Sequence, residues 1–163
     1  LGDVYKRQML RSAAMMQDDV ETIAAATDML AEAKLTPELR NEALYFRAKA
    51  YLNQQADKKA MNDLQALAKD TRTLYGAEAK YLVALQLYKA HEYAAAEKEI
   101  LNFIEQSTPH AYWLARSFIL LSDVYVSMDK KLDARQYLLS LQQNYHADDD
   151  IEQMINERLE KLK

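Results

Sequence analysis

The chain has 163 residues, half of them apolar, and carries 21 Lys and Arg against 25 Asp and Glu, a net charge of −4. That length suits one domain with a continuous core, and the absence of cysteine excludes disulfides and thiolate metal sites. The acidic balance is a poor match for a nucleic-acid surface, which neutralises phosphates with Lys and Arg. No apolar run approaches the ~20 residues that span a bilayer; Phe118-Ile119-Leu120-Leu121, for one, ends at Ser122.

In chain order, Leu1-Gly2-Asp3-Val4-Tyr5-Lys6-Arg7-Gln8 comes first. It matches the in-frame translation of a transposase adapter used to prepare sequencing libraries. Residues 1–8 are therefore expected to be an adapter-derived tag, not native protein. On that reading the sequence is a metagenomic fragment whose natural chain starts upstream of Met9, and Gly76 is its one native glycine. Two glycines and two prolines leave little turn chemistry for strands, while Ala, Leu, Glu, Lys, Gln and Met favour helices. The spacing predicts an all-α chain with helices at 9–17, 19–34, 37–53, 57–69, 73–90, 93–106, 109–128, 131–144 and 149–162. Thr36-Pro37 and Thr108-Pro109 each read as an N-cap followed by proline at the first helical position. Asp57 falls at the start of its helix, and Asp18 with Glu21, and Asp149 with Glu152, have the spacing of a capping box.

Four segments share one frame: a small residue, a large residue three later, an alanine twelve later and a large apolar residue sixteen later. They are Ala13, Met16, Ala25, Met29; Ala48, Tyr51, Ala60, Leu64; Ala84, Leu87, Ala96, Ile100; and Ser122, Tyr125, Ala134, Leu138. Spacings of three and four put residues on one face of a helix. A small residue on each of two helices lets their axes approach, and the large residues fill the space beside the crossing. Such hairpins bury their apolar faces by stacking on one another. The final segment is a single amphipathic helix with Ile151, Met154, Ile155, Leu159 and Leu162 on one stripe and Glu152, Asn156, Glu157, Glu160 and Lys161 on the other.

The frame resembles the tetratricopeptide repeat, whose pattern has a small residue and an aromatic on the first helix and an alanine on the second. Leu121-Ser122-Asp123-Val124-Tyr125 with Ala134, and Tyr93 with Ala96 and Pro109, are the best matches. The resemblance covers residues 9–145 and implies about four helical hairpins in a right-handed α-solenoid, with 146–163 as a C-terminal capping helix. The frame lacks the usual glycine and runs long, which leaves half-a-tetratricopeptide-like arrays open as a variant. Tyr112-Trp113-Leu114-Ala115-Arg116-Ser117-Phe118 resembles the last repeats of long bacterial tetratricopeptide proteins of the cell envelope, which implies an envelope or periplasmic location.

Residues that could carry chemistry have simpler readings. His91, His110 and His146 fall at a turn, a helix start and a helix end, and His91-Glu92 is followed by Ala95 where a zinc helix needs its second histidine. Asp148-Asp149-Asp150 lacks the spaced glycine and distal glutamate of a calcium loop. Ser107, Ser117, Ser122 and Ser140 have no nucleophile-elbow context. No cofactor, metal site or catalysis is expected in these residues.

Tyr51 and Tyr125 read as core. In a tetratricopeptide-like stack the first helices line the concave face, which implies a partner-binding groove of Tyr45, Lys49, Tyr81, Leu85, Tyr88, Arg116, Ile119 and Asp123. Aromatic and arginine side chains are common anchors of protein contacts, though the same residues can simply cover helix surface. Family members that grip an acidic C-terminus use lysines and asparagines where this chain has Tyr45, Lys49, Leu82 and Leu120, so that clamp is not expected. The expected function is a protein–protein interaction scaffold for a protein or peptide partner. The alternatives are a structural spacer or oligomerisation segment, or the non-catalytic repeats of an enzyme with an upstream catalytic domain.

Overall fold

The computed structural model describes residues 2–163. The described residues form nine α-helices and no strand: α1 (Gly2–Met15), α2 (Asp19–Leu30), α3 (Pro37–Asn53), α4 (Asp57–Leu67), α5 (Leu74–Lys89), α6 (Tyr93–Glu105), α7 (Ala111–Ser127), α8 (Lys131–Asn144) and α9 (Ile151–Lys161). Seven of them agree with the spacing-based expectation to within two residues at either end. The first departs from it, because the helix expected at residue 9 already begins at Gly2. No glycine or proline interrupts residues 3–8, Lys6 bonds Glu32, and Arg7 donates to Glu42 at 2.9 Å. The second departure is α2, which stops at Leu30 instead of 34. Leu35 turns into the cluster of Leu10, Ala26, Met29 and Ala43, and Thr36 is extended.

The caps divide similarly. Asp18 accepts the Glu21 N–H at 3.1 Å and Thr36 accepts that of Leu39 at 3.3 Å, with Pro37 at the helix start, as their sequence pattern predicts. Thr108-Pro109 is not a cap. The Thr108 hydroxyl donates to the Thr71 carbonyl at 2.7 Å and accepts the His110 N–H, so α7 starts two residues later. Asp149 likewise accepts from Ile151 ahead of α9, and no side chain caps that helix.

The chain divides into two compact units, one through Asp70 and one from Thr71 to Lys163. In the first, α1 to α4 pack in succession and α1 also touches α3. In the second, α5 to α9 pack in succession, with further contacts of α5 on α7 and α7 on α9.

Four of the tight turns share one backbone device. Gln17, Gln55, His91 and Asp129, after α1, α3, α5 and α7, have φ of 56°, 60°, 62° and 59°. In each the following N–H reaches back five residues: Asp18 to Ala13, Ala56 to Tyr51, Glu92 to Leu87 and Lys130 to Tyr125, at 2.7–3.0 Å. This is the Schellman ending, normally given to glycine because a Cβ costs about 1 kcal/mol in the left-handed region. Gln55 makes no side-chain hydrogen bond that would offset the cost. Gln55→Gly is expected to stabilise the chain by about 0.5–1 kcal/mol, read as a higher urea midpoint at unchanged slope. A lower midpoint would show that the turn is not strained.

These turns also correct the first frame. Superposing them pairs Ala48, Tyr51, Ala60 and Leu64 with Leu10, Ala13, Thr22 and Ala26, all buried. The expected Met16 is 77% exposed. The frame was placed one helical turn late, a shift that keeps the same face and so leaves the periodicity intact. In the other three frames the small residues and the last large residue (Ala48, Ala60, Leu64; Ala84, Ala96, Ile100; Ser122, Ala134, Leu138) are buried as expected.

Candidate functional site

In the second unit a polar ladder joins helices that are two apart in sequence. Arg116 of α7 lies with its guanidinium carbon 5.0 Å from the Tyr81 ring centre, and its Nη2 donates to the Tyr81 hydroxyl at 3.0 Å. Nη1 donates to the Tyr112 hydroxyl at 2.9 Å, and that hydroxyl donates to Asp150 at 3.0 Å. Trp113 closes the cluster against both tyrosine rings, at centroid distances of 5.5 and 5.1 Å. The Arg116 Nε is buried without a partner. One turn-pair further on, Arg158 of α9 clasps Asp123 of α7 through Nε and Nη2 at 2.8 and 2.9 Å, a bidentate fork that fixes both side chains.

Next to that fork is an open cleft of about 510 Å³, lined by Tyr88, Asp123, Val126, Lys131, Arg158 and Lys161. Glu157, Ser122, Ser127, Leu138 and Leu162 complete its lining. Three of these residues come from α9 and Leu162 directly follows it, so the cleft exists only while α9 is docked. What docks it is the apolar cluster of Ala115, Ile119, Leu138, Leu141, Ile151 and Ile155, with Met154, Leu159 and Leu162 packed around it.

The expected groove residues therefore separate. Tyr88 and Asp123 line the cleft, and Leu85 of α5 is half-buried but does not line it. Ile119 is a correction: it is 1% exposed beneath α9 and cannot meet a partner. Tyr81 is also buried, and its hydroxyl and ring are spent on Arg116 and Trp113. Tyr45 and Lys49 belong to the first unit, where the Lys49 ammonium lies 5.8 Å from the Tyr45 ring centre beside a smaller pocket of about 180 Å³. Of the two tyrosines expected in the core, Tyr125 is buried and Tyr51 half-buried, with Arg47 and Lys59 each 5.9 Å from the Tyr51 ring centre. Lys131, Arg158 and Lys161 were not foreseen as site residues. For Arg158 a signal existed: it follows Asp123 by 35 residues, as Arg116 follows Tyr81.

The histidines make local bonds. His91 Nδ1 is 2.7 Å from the Tyr93 hydroxyl, and the Nε2 atoms of His110 and His146 lie 2.9 and 3.0 Å from the carbonyls of Arg72 and Gln143. Among the described residues no helix is long and apolar enough to cross a membrane.

Burial and donation to Asp149, at 2.6 Å, push the Tyr145 phenol up to about 12. Burial also raises Tyr125 and Tyr112. An unfolded tyrosine titrates near pH 10, so the folded state holds these protons longer than the unfolded one. The stability they confer is whole below about pH 10 and is lost as pH climbs towards 12. Melting temperatures by circular dichroism are expected to fall across that window, less steeply for Tyr145→Phe. A flat profile would contradict the assignment.

No protein-family model, curated protein or solved structure matches this chain.

Proposed function

We propose that the chain is a protein-binding scaffold of tetratricopeptide-like helical hairpins, holding a segment of a partner protein rather than catalysing a reaction. The reading is carried by the cleft of the second unit. It is open, lies within the roughly 300–1,000 Å³ range of ligand-sized sites, and sets Tyr88 and Val126 beside a rim of lysines and carboxylates. An aromatic anchor with a charged rim is the usual make-up of a protein contact. Two further observations support stacked repeats: the four Schellman turns at spacings of 38, 36 and 38 residues, and side-chain bonds that join positions 35 apart in each unit.

The burial of Tyr81 decides the test. Tyr81→Ala would loosen the Arg116 cluster, whereas Tyr88 is half-buried at the cleft and suits truncation. Display of random peptides against the full chain should enrich a shared motif, and Tyr88→Ala should weaken its capture severalfold with helicity unchanged. Equal capture by the variant would overturn the assignment of this cleft.

The alternative of an oligomerisation segment has one observation behind it. Met15, Met16 and Val20, around the first turn, are 85%, 77% and 71% exposed, and contiguous exposed apolar surface often marks association. Light scattering over a concentration series distinguishes the two. A dimer abolished by Val20→Lys would favour this reading.

A further inference from the structure

We propose that the cleft between α5, α7, α8 and α9 recognises an acidic segment of its partner, with Lys131 and Lys161 receiving a carboxylate while Tyr88 and Val126 cover an adjoining apolar side chain. This rests on the scaffold reading and adds the chemistry of the occupant. The charges on the wall do not balance. Arg158 is already held by Asp123 on both sides of its fork. Among the described residues Lys131 and Lys161 make no ion pair, and one carboxylate, Glu157, remains on the rim beside them. The cleft is therefore locally positive in a chain whose net charge is −4, and field lines concentrate in such concave places. Lys131 is moreover the first residue of α8, where the helix dipole disfavours a cation. A residue set against its local preference is a mark of use beyond folding. Val126 is 40% exposed on the same wall, which gives the site an apolar side as well as a charged one.

The probe is a fluorescein-labelled octapeptide of Leu, Ala and Ser with two glutamates, compared with twins carrying two glutamines or two lysines, by anisotropy with the full chain. The glutamate peptide should bind at least tenfold more tightly than either twin, and raised salt should weaken it. Lys131→Glu with Lys161→Glu should remove at least tenfold of that affinity. The same pair should leave the melting temperature nearly unchanged, since the gain of Lys131→Glu at a helix start offsets the loss of Lys161→Glu at a helix end. Binding of the glutamine or lysine twin as tight as the glutamate peptide would overturn the charge assignment while leaving a scaffold. Binding by none of the three would overturn the proposal too, leaving the scaffold reading to peptide display. Retained affinity in the double variant would place the acidic segment elsewhere.

Discussion

Ile155→Asp is expected to release α9 from the second unit and to cost about 4 kcal/mol or the whole docking energy of that helix, whichever is smaller. Ile155 is 2% exposed and sits among Ala115, Ile119, Leu138, Leu141 and Ile151. Removing a buried aliphatic side chain costs about 2–5 kcal/mol, and an unpaired carboxylate in its place adds several more unless it takes up a proton. The ceiling comes from topology. α9 is the last helix and packs only on α7 and α8 among the described helices, so it can leave without unfolding the rest. Hydrogen exchange should then show residues 151–161 losing protection while α5 and α6 keep theirs. Its departure uncovers Ile119 and Leu138, and apolar surface of that kind promotes association. The exposed Glu160→Ala serves as the control and should do neither. Exchange that rises evenly through α5 to α9 would mean that the unit melts as one body, and α9 would be core rather than a docked lid. The variant also dismantles the cleft, because Arg158 and Lys161 leave with the helix.

The sequence showed the helices well and the site poorly, for different reasons. Helix positions are written in short-range terms: Thr36-Pro37 caps α3, and Asp18 caps α2. Buried small residues such as Ala60, Ala96 and Ala134 recur at helical spacing, which periodicity detects without any long-range knowledge. Register within a face is harder. Met16 and Ala13 share a face, and only the left-handed Gln17 turn shows which of them ends the helix inside. Glutamine there gives no glycine-like signal, so a frame one turn late fitted equally well. The groove is harder to read for another reason. Whether the helix face that carries Tyr81, Ile119 and Asp123 is open depends on what later helices bring to it. α9 covers Ile119 and supplies Arg158 to Asp123, while Arg116 takes Tyr81. Long-range pairing of that sort leaves one trace in the sequence, the shared 35-residue offset of the paired polar residues, which becomes readable only once the paired helices are seen.

The first unit contains a separate test of what its buried charge contributes. Arg47 of α3 donates to Asp63 of α4 through Nε at 2.8 Å and Nη2 at 2.7 Å, and a third contact reaches the Thr27 hydroxyl at 3.2 Å. Asp63 has a side chain only 5% exposed, and Arg47 one that is 19% exposed. Asp63→Leu should cost about 3–5 kcal/mol, because it strands the guanidinium in a site that excludes most water. Arg47→Met should cost a similar amount, since the carboxylate left behind is the more buried of the two and must pay its desolvation or gain a proton. The pair replaced together, Arg47→Met with Asp63→Leu, is expected to lie near the parent or above it, as a buried ion pair gains little over an apolar pair of like volume. Urea unfolding of the four proteins closes the cycle, with a coupling of about 3 kcal/mol or more between the two positions. Additive losses would mean that water reaches both groups and that the fork, despite its short bonds, behaves as a surface pair worth under about 1 kcal/mol. The cycle also bears on why a helical hairpin with so few large side chains keeps an ion pair at all. Ala48 and Ala60 let α3 and α4 approach closely, and an apolar crossing that narrow has little shape with which to select one register. The fork accepts only the register that brings Nε and Nη2 onto the two carboxylate oxygens, so the double apolar variant should keep its stability yet broaden its amide resonances if α3 and α4 begin to slide.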